Sequence, residues 1–558
     1  MRDFLRRFRL YLAFAATLLV CFISFSFVDE YFEVSKQLDI FSTLYREVNL
    51  HYVDRTDPGK LMKTGIDAML ETLDPYTTYI PESDIEDYRF MTTGQYGGIG
   101  ALVRQKGDYV VISEPYEGFP AQLNDLRAGD ELVEIDGKSL KGKKTDEVSR
   151  LLKGSPGTSF KLIIRREGQS GTLEKNITRS EIKVKCVPYY AMLNDSIGYV
   201  KLTGFTDKST IETAAAIRAL KEKGELKGLI LDLRGNPGGL LQEAVNISNL
   251  FLPRGEDIVS TKGRMQDMDK NYKAVAPPLD DQIPLAVLVN SGSASASEIV
   301  SGSLQDLDRA VIIGQRTYGK GLVQSTRPLS YNSQLKVTTA KYYIPSGRCI
   351  QAVDYSNRNS DGSVGKVPDS LMHEFKTKGG RTVRDGGGIL PDIKTEPRKY
   401  SNITTSLITK NIVFDFATRY RTLHDSVTLP VNFSLNENDW KEFMDFLKNK
   451  EYEYSTKSER SLEEMKKNAE EENYFGTIEK EYIALKEKLV SDKQSDLLKH
   501  KEEILQVLEE EIITRYYFQT GRTAASIDHD EDVSTARELL KQPDRYRSIL
   551  NGISAVKK

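Results

Sequence analysis

Two short stretches place a hydroxyl and an amine where they could work together. Asn290-Ser-Gly-Ser-Ala-Ser-Ala-Ser-Glu298 offers Ser295 among small residues, and Gly319-Lys-Gly-Leu-Val-Gln324 offers Lys320 between two glycines. The five histidines are His51, His373, His424, His500 and His529, so the stretch from Tyr52 to Met372 has none. A nucleophilic serine in this region would need the lysine as its base, and a lysine serves only when burial or a cationic neighbour brings its pKa down. Small flanking residues let other segments close over it. Taken singly, Ser293 or Ser295 reads equally well as a helix cap, with Glu298 at capping-box distance from Ser295. Lys320 alone reads as an exposed turn lysine.

Two further features belong with this pair. Asp232-Leu-Arg-Gly-Asn-Pro-Gly-Gly239 follows an apolar run and forms a turn whose backbone N–H groups can face a developing oxyanion. Lys320 and Gln324 share parity in an extended strand, so Gln324 can orient the amine by a hydrogen bond. The order Gly-x4-Gly-Lys-Ser/Thr of a phosphate loop is absent, because Gly321 follows the lysine.

The elements around these motifs alternate. Strands are expected at Ile197–Leu202, Gly228–Arg234, Pro284–Val289 and Gln334–Ile344, with helices at Ser209–Lys223, Leu240–Leu252 and Ser297–Leu307. Apolar strands separated by amphipathic helices indicate an α/β core. Upstream, Gly94-Gln-Tyr-Gly-Gly-Ile-Gly100 runs into an apolar strand, followed by Leu126-Arg-Ala-Gly-Asp-Glu-Leu-Val-Glu-Ile-Asp-Gly137 and a helix over Thr145–Leu152. This order resembles a PDZ domain. The resemblance implies that Gly97, Gly98, Ile99 and Gly100 form a loop for a peptide's terminal carboxylate.

Together, the three motifs behind a PDZ domain resemble the carboxyl-terminal processing (tail-specific) proteases, over roughly Tyr31 to Pro397. Gly388-Ile-Leu-Pro-Asp392 is similar to that family's core-closing motif. The resemblance implies that Ser295 is the nucleophile, Lys320 the general base and Gln324 its positioning residue, with the N–H groups of Gly239 and Ala296 as the oxyanion hole. It implies protein substrates with apolar C-termini and no metal, nucleotide or other cofactor. The alternative is a non-catalytic PDZ-containing scaffold of the cell envelope, which would be expected to have lost Ser295 or Lys320. A segment at about Asp354–Arg384 departs from the commoner family pattern and reads as a surface loop.

At 558 residues the chain requires several domains. We expect a multidomain α+β protein: a cytoplasmic basic segment (1–9), a transmembrane anchor (10–28), a helical region (29–84), an inserted PDZ domain (85–168), an α/β protease core of the Ser-Lys type (169–397) and a helical C-terminal domain (398–558). Four arginines in the first nine residues precede the uncharged stretch Leu10–Val28, which is just long enough to span a bilayer. The arginines point to a cytoplasmic N-terminus, hence a single-pass protein of a bacterial inner membrane with its catalytic domain facing the periplasm. A net charge of −3 gives no sign of a nucleic-acid partner. Self-association is left open. The lysine- and glutamate-rich stretch Ser458–Tyr517 reads as a solvated helical domain, and Asp528-His-Asp-Glu-Asp532 as a solvated loop rather than a metal site. Cys186 and Cys349 read as two buried free thiols.

Overall fold

The computed structural model describes residues 32–193, 196–359, 363–452, 454–491 and 493–552. The expected anchor at 10–28 lies outside them. Among the described residues no helix is long and apolar enough to cross a membrane.

The chain divides into two compact units, Met1–Tyr79 and Ile80–Lys558. In the first, a helix over 32–51 is followed by the helix Pro58–Glu71. Asp57 caps the latter by accepting the Lys60 N–H at 3.0 Å, and Pro58 gives up an N–H that would have had no partner in the first turn. Buried Asp74 then turns the chain by accepting the N–H groups of Tyr76 and Thr77.

The second unit begins with the helix Ile85–Thr93 and then the PDZ sheet. Its strands Ala101–Lys106, Tyr109–Pro115, Glu131–Ile135, Ser159–Arg165 and Leu173–Thr178 surround Val110, Ile112, Leu132, Leu162 and Ile164, all fully buried. The last strand pairs with Ser159–Arg165 through six residues, so the domain extends beyond the expected boundary at 168. The turn Glu167–Gly171 is a hairpin within the sheet. Gly97 and Gly98 lie in the short strand Gln95–Gly98, paired with Ser180–Lys183, and Ile99–Gly100 leads on into the PDZ sheet.

The protease core is a six-stranded sheet. Its strand order is Tyr189–Met192, Ile197–Lys201, Gly228–Asp232, Leu285–Val289, Val311–Gly314 and Ile393–Lys394, parallel except for the first pair. Successive residues point to opposite faces, so both faces must be covered. On one face Leu229, Leu231, Val287, Val289 and Ile312 meet the helices Ser209–Lys223, Leu241–Asn249 and Ala296–Asp306. On the other, Ile230, Ala286, Leu288, Val311 and Ile313 meet Val533, Ala536, Leu539, Leu540 and Tyr546. These come from the helices Glu531–Leu540 and Pro543–Leu550 at the far end of the sequence. Burying each such aliphatic side chain contributes about 1.5–3 kcal/mol. The last two helices therefore belong physically to the protease sheet, which corrects the single C-terminal domain expected over 398–558.

The rest of that region has its own core. The helices Asn402–Thr409, Ile412–Leu423, Glu437–Leu447 and Lys501–Ser526 bury Leu407, Phe416, Trp440, Phe443 and Leu508. It is more than a solvated helical stretch, because the PDZ sheet docks on it. Lys106 Nζ lies 2.7 Å from Asp415 Oδ1, and the Arg104 guanidinium lies 3.4 Å from the centre of the Phe414 ring.

The segment after Val353 folds into two short hairpins, Val353–Arg358 with Val364–Lys366 and Glu374–Lys376 with Thr382–Arg384. Arg381 fastens the second to the core through Asp308, Asp392 and the Gln305 carbonyl, so the surface-loop expectation is replaced by an ordered attachment. Both cysteines in the core are free, with Cys186 buried and Cys349 half-buried.

Candidate active site

Strand Leu285–Val289 ends at Asn290, and the chain turns before entering the helix Ala296–Asp306. Ser295 sits at that turn with φ 55° and ψ −113°, a conformation that side-chain-bearing residues rarely adopt. The turn is held from several sides. Asn290 Oδ1 accepts the N–H groups of Gly235 and Gly292, and the Ala294 N–H donates to the Asn236 carbonyl. The Ser295 N–H donates to Glu298 Oε2 at 2.8 Å.

These contacts separate the three neighbouring serines. Ser293 is fully buried and donates its hydroxyl to the Leu233 carbonyl at 2.8 Å. Ser297, also fully buried, donates to the Asn236 carbonyl at 2.9 Å. Both hydroxyls are committed to holding the turn. Ser295 is half-buried and opens into a cavity of about 460 Å³, which is also lined by Lys320, Gln324, Gly238 and Gly239. The serine, lysine and glutamine expected to act together thus share one cavity.

Lys320 lies on a loop before the strand Leu322–Pro328. Its flanking glycines allow close approach: a Cβ on Gly319 would stand 2.3 Å from Ala352 Cβ, and one on Gly321 would stand 2.8 Å from the Gln351 nitrogen. Segments around Gln351 and Gly388 close over the loop, as the small residues led us to expect. Strand parity does not relate Lys320 to Gln324, however. Lys320 precedes the strand, and the pairing with Gln334–Tyr343 shifts register between Val323 and Gln324. The Gln324 side-chain nitrogen donates to Thr338 Oγ1 at 3.1 Å. With that nitrogen anchored, its carbonyl oxygen is the end suited to accept from an amine.

The turn expected to face the oxyanion packs directly on the serine. Gly238 has φ +100°, and a Cβ there would stand 2.8 Å from Ser295 Cβ and 2.7 Å from the Ala294 carbonyl. The Gly238 N–H donates to Asn236 Oδ1 at 2.9 Å and is occupied. The next N–H of the turn belongs to Gly239, whose carbon lies so close to Phe205 that a Cβ would meet its carbonyl at 2.3 Å. Ala296 supplies the first N–H of an eleven-residue helix, where the backbone dipoles favour negative charge.

Two residues whose part in the site the sequence did not reveal join the serine and lysine loops. Glu298, fully buried, accepts from Thr317 Oγ1 at 2.6 Å, the Gly319 N–H at 2.7 Å, the Lys320 N–H at 2.9 Å and the Ser295 N–H. Burial pushes its carboxyl up to about 7, against these four hydrogen bonds, which favour the ionised form. Tyr342 places its hydroxyl 3.2 Å from the Ser295 carbonyl oxygen and 2.5 Å from that of Lys320. Glu298 was visible only as a capping residue, and Tyr342 only as one of an alternating strand.

Behind this turn, Asp232 accepts three hydrogen bonds from Arg234, from its backbone N–H at 2.9 Å and Nε at 3.0 Å on Oδ1 and from Nη2 at 2.8 Å on Oδ2. Arg234 Nη1 also donates to Asp530 at 2.9 Å and Asp532 at 2.8 Å. The acidic cluster is accordingly not a solvated loop. Asp530 caps the helix Glu531–Leu540 through the Val533 N–H, and with Asp532 it grips the turn behind the site. Among the described residues no group of His, Cys, Asp and Glu is arranged to hold a metal ion.

Residues 196–356 match the model of peptidase family S41, 111–166 that of a PDZ domain, and 403–540 that of the probable PDZ-protease C-terminal helical domain. The carboxy-terminal-processing protease of Bartonella bacilliformis is 41% identical over 321 residues, covering 57% of this chain and 73% of that protein. The chain belongs to the carboxy-terminal-processing protease family. The family's carboxy-terminal processing protease CtpA of Bacillus subtilis is 34% identical over 320 residues, 56% of this chain and 66% of that protein. Among solved structures, a photosystem II D1 C-terminal processing protease is 29% identical, covers 64% of this chain and 92% of its own, and has a TM-score of 0.35. The protein is therefore a serine peptidase that carries a PDZ domain and a helical C-terminal domain, and the non-catalytic reading is not favoured.

Proposed function

We propose that the cavity cleaves proteins delivered by the PDZ domain. Ser295 Oγ attacks the scissile carbonyl carbon as its proton passes to the neutral amine of Lys320. The N–H groups of Gly239 and Ala296 receive the oxyanion. The leaving amine takes the proton from Lys320, and water then hydrolyses the acyl-enzyme by the same base. Gln324, anchored on Thr338, positions the lysine amine. The carrying observation is the separation of the serines: Ser295 opens into the cavity shared with Lys320, whereas the hydroxyls of Ser293 and Ser297 are tied to backbone carbonyls.

Gly97, Gly98, Ile99 and Gly100 are the proposed seat for an apolar C-terminal tail. Their position on the strand leading from the PDZ sheet toward Ser180–Lys183 supports this, because a bound tail there adjoins a direct connection to the core. The arginine-flanked segment 10–28 is the proposed single-pass anchor in a bacterial inner membrane, with the peptidase on the periplasmic side; the asymmetry of charge around an uncharged span supports it.

The test is digestion of an unfolded protein with an apolar C-terminus by wild type, Ser295→Ala and Lys320→Ala. Loss of cleavage in the first variant and a fall of about 100- to 10,000-fold in the second are expected. Wild-type rates in both would overturn the assignment.

A further inference from the structure

The cavity that holds Ser295 is lined unevenly in charge. Lys185, Lys320 and Lys336 are its charged side chains, and no aspartate or glutamate is among its lining residues. Lys320 is accounted for by the proposed dyad and Lys185 is exposed, whereas Lys336 is half-buried.

Lys336 lies on the strand Gln334–Tyr343, opposite Thr326 and two residues from Thr338, the anchor of Gln324. Alternate residues of a strand share a face, which puts Lys336 on the side occupied by Thr338 and Gln324. Two residues of strand separate it from the Gln324 row by about 7 Å. No ion pair joins Lys336 to a carboxylate among the described residues. Burial lowers its pKa, and no acidic side chain offsets the effect. A lysine that only covers apolar surface carries its ammonium out to bulk water. Lys336 opens instead into the cavity where a peptide must lie.

The edge beside it suits a peptide. Among the described residues the strand Leu322–Pro328 pairs on one side only, with Gln334–Tyr343, and Leu322, Val323, Gln324 and Thr326 line the cavity. A substrate extended along that free edge would advance about 3.3 Å per residue, so 7 Å corresponds to about two residues.

We propose that Lys336 receives a carboxylate of the substrate chain about two residues from the scissile bond. The cleft would then select by charge near the bond, separately from capture of an apolar tail by the PDZ domain. This rests on Ser295 being the nucleophile. The carboxylate could be an internal acidic side chain or a chain terminus produced by an earlier cut, and the recognising chemistry is the same.

The test uses the full chain and fluorogenic peptides carrying Glu or Gln at each of several positions on both sides of the cleaved bond. A second set ends in a free acid or an amide. The wild type is expected to favour the acid about tenfold or more in kcat/KM at one position, the size of a charge-assisted hydrogen bond. The ratio should fall to about one in Lys336→Met, persist in Lys336→Arg, and drop below one in Lys336→Glu; thermal denaturation confirms that each variant is folded. A preference following the internal residue identifies a side chain as the source, and one following the free acid identifies a terminus. A wild-type ratio of one throughout, or an unchanged ratio in Lys336→Met, overturns the proposal. Ser295→Ala is the separate control: cleavage surviving in that variant would sink the nucleophile assignment, whatever the charge preference.

Discussion

The backbone N–H groups of Ser295 and Lys320 converge on one atom, Glu298 Oε2, at 2.8 and 2.9 Å. A single carboxylate therefore sets the distance between the loop carrying the hydroxyl and the loop carrying the amine. Its other oxygen holds Thr317 and Gly319, so the lysine loop is fastened at three points. In Glu298→Gln one oxygen becomes an NH2 group facing donors. Such a buried mismatch costs about 1–3 kcal/mol. A displacement of about 1 Å between reacting groups can cost 100-fold in rate. We expect kcat to fall by about that factor with KM moving much less, as steady-state kinetics on a peptide substrate would reveal.

The same carboxyl gives the enzyme a pH dependence that runs in opposite directions for stability and activity. Its value in the folded protein is pushed up to about 7 from 4.5, so folding takes up a proton between these limits. A group that binds more protons folded than unfolded contributes less stability as pH rises through that window, and its contribution is level above pH 7. The melting-temperature advantage of wild type over Glu298→Gln should therefore shrink from pH 5 to pH 7. Activity should rise over the same interval, because four donors require the ionised form. An advantage that stays level from pH 5 to pH 7 would show that the carboxyl is ionised throughout.

The placement of Ser295, Lys320, Gln324 and the turn at Gly239 around one cavity was legible because each lies in a short local motif whose spacing survives folding. The alternating strands around them were legible for a related reason: both faces of the sheet are buried, which leaves unbroken apolar runs such as Leu285–Val289. What covers the second face was not legible. Val533, Leu539 and Leu540 are ordinary helix residues, and nothing local in their sequence points to Ile230 or Leu288, some 300 and 250 positions away along the chain. Tyr342 was hidden similarly, since one tyrosine in an alternating strand gives no sign of which carbonyls it will meet. The parity argument for Lys320 and Gln324 does not describe the geometry, because a bulge cannot be seen in strand periodicity; what the two residues share is the cavity they line.

Gly238 tests how tightly the proposed oxyanion turn must fit. Its φ of +100° disfavours any side chain, and a methyl group would press on both Ser295 Cβ and the Ala294 carbonyl. Gly238→Ala should cost about 1–3 kcal/mol in stability. Because the turn must retreat from the serine, a fall in kcat of about 100-fold is expected. Binding of a C-terminal peptide to the PDZ domain should not change, which isothermal titration can check in the same preparation.

Asp530 and Asp532 carry the remaining prediction, because they join the end of the chain to the back of the active site. Arg234 is held by Asp232 on its own strand and by these two carboxylates from the far C-terminus, while Asp232, only 1% exposed, also accepts from Tyr199 at 2.6 Å. Replacing both by asparagine keeps size and some hydrogen bonding but removes two charges facing a largely buried guanidinium. Breaking such a pairing typically costs about 3–5 kcal/mol when it is fully buried, and this one is partly open. A loss of about 2 kcal/mol is therefore the expectation. If the clamp positions Gly238 and Gly239 through Arg234, Asp530→Asn/Asp532→Asn should lower kcat about tenfold at temperatures well below its melting point, with KM little changed. A variant that melts earlier yet keeps the wild-type kcat at low temperature would show that the C-terminal helices only cover the sheet.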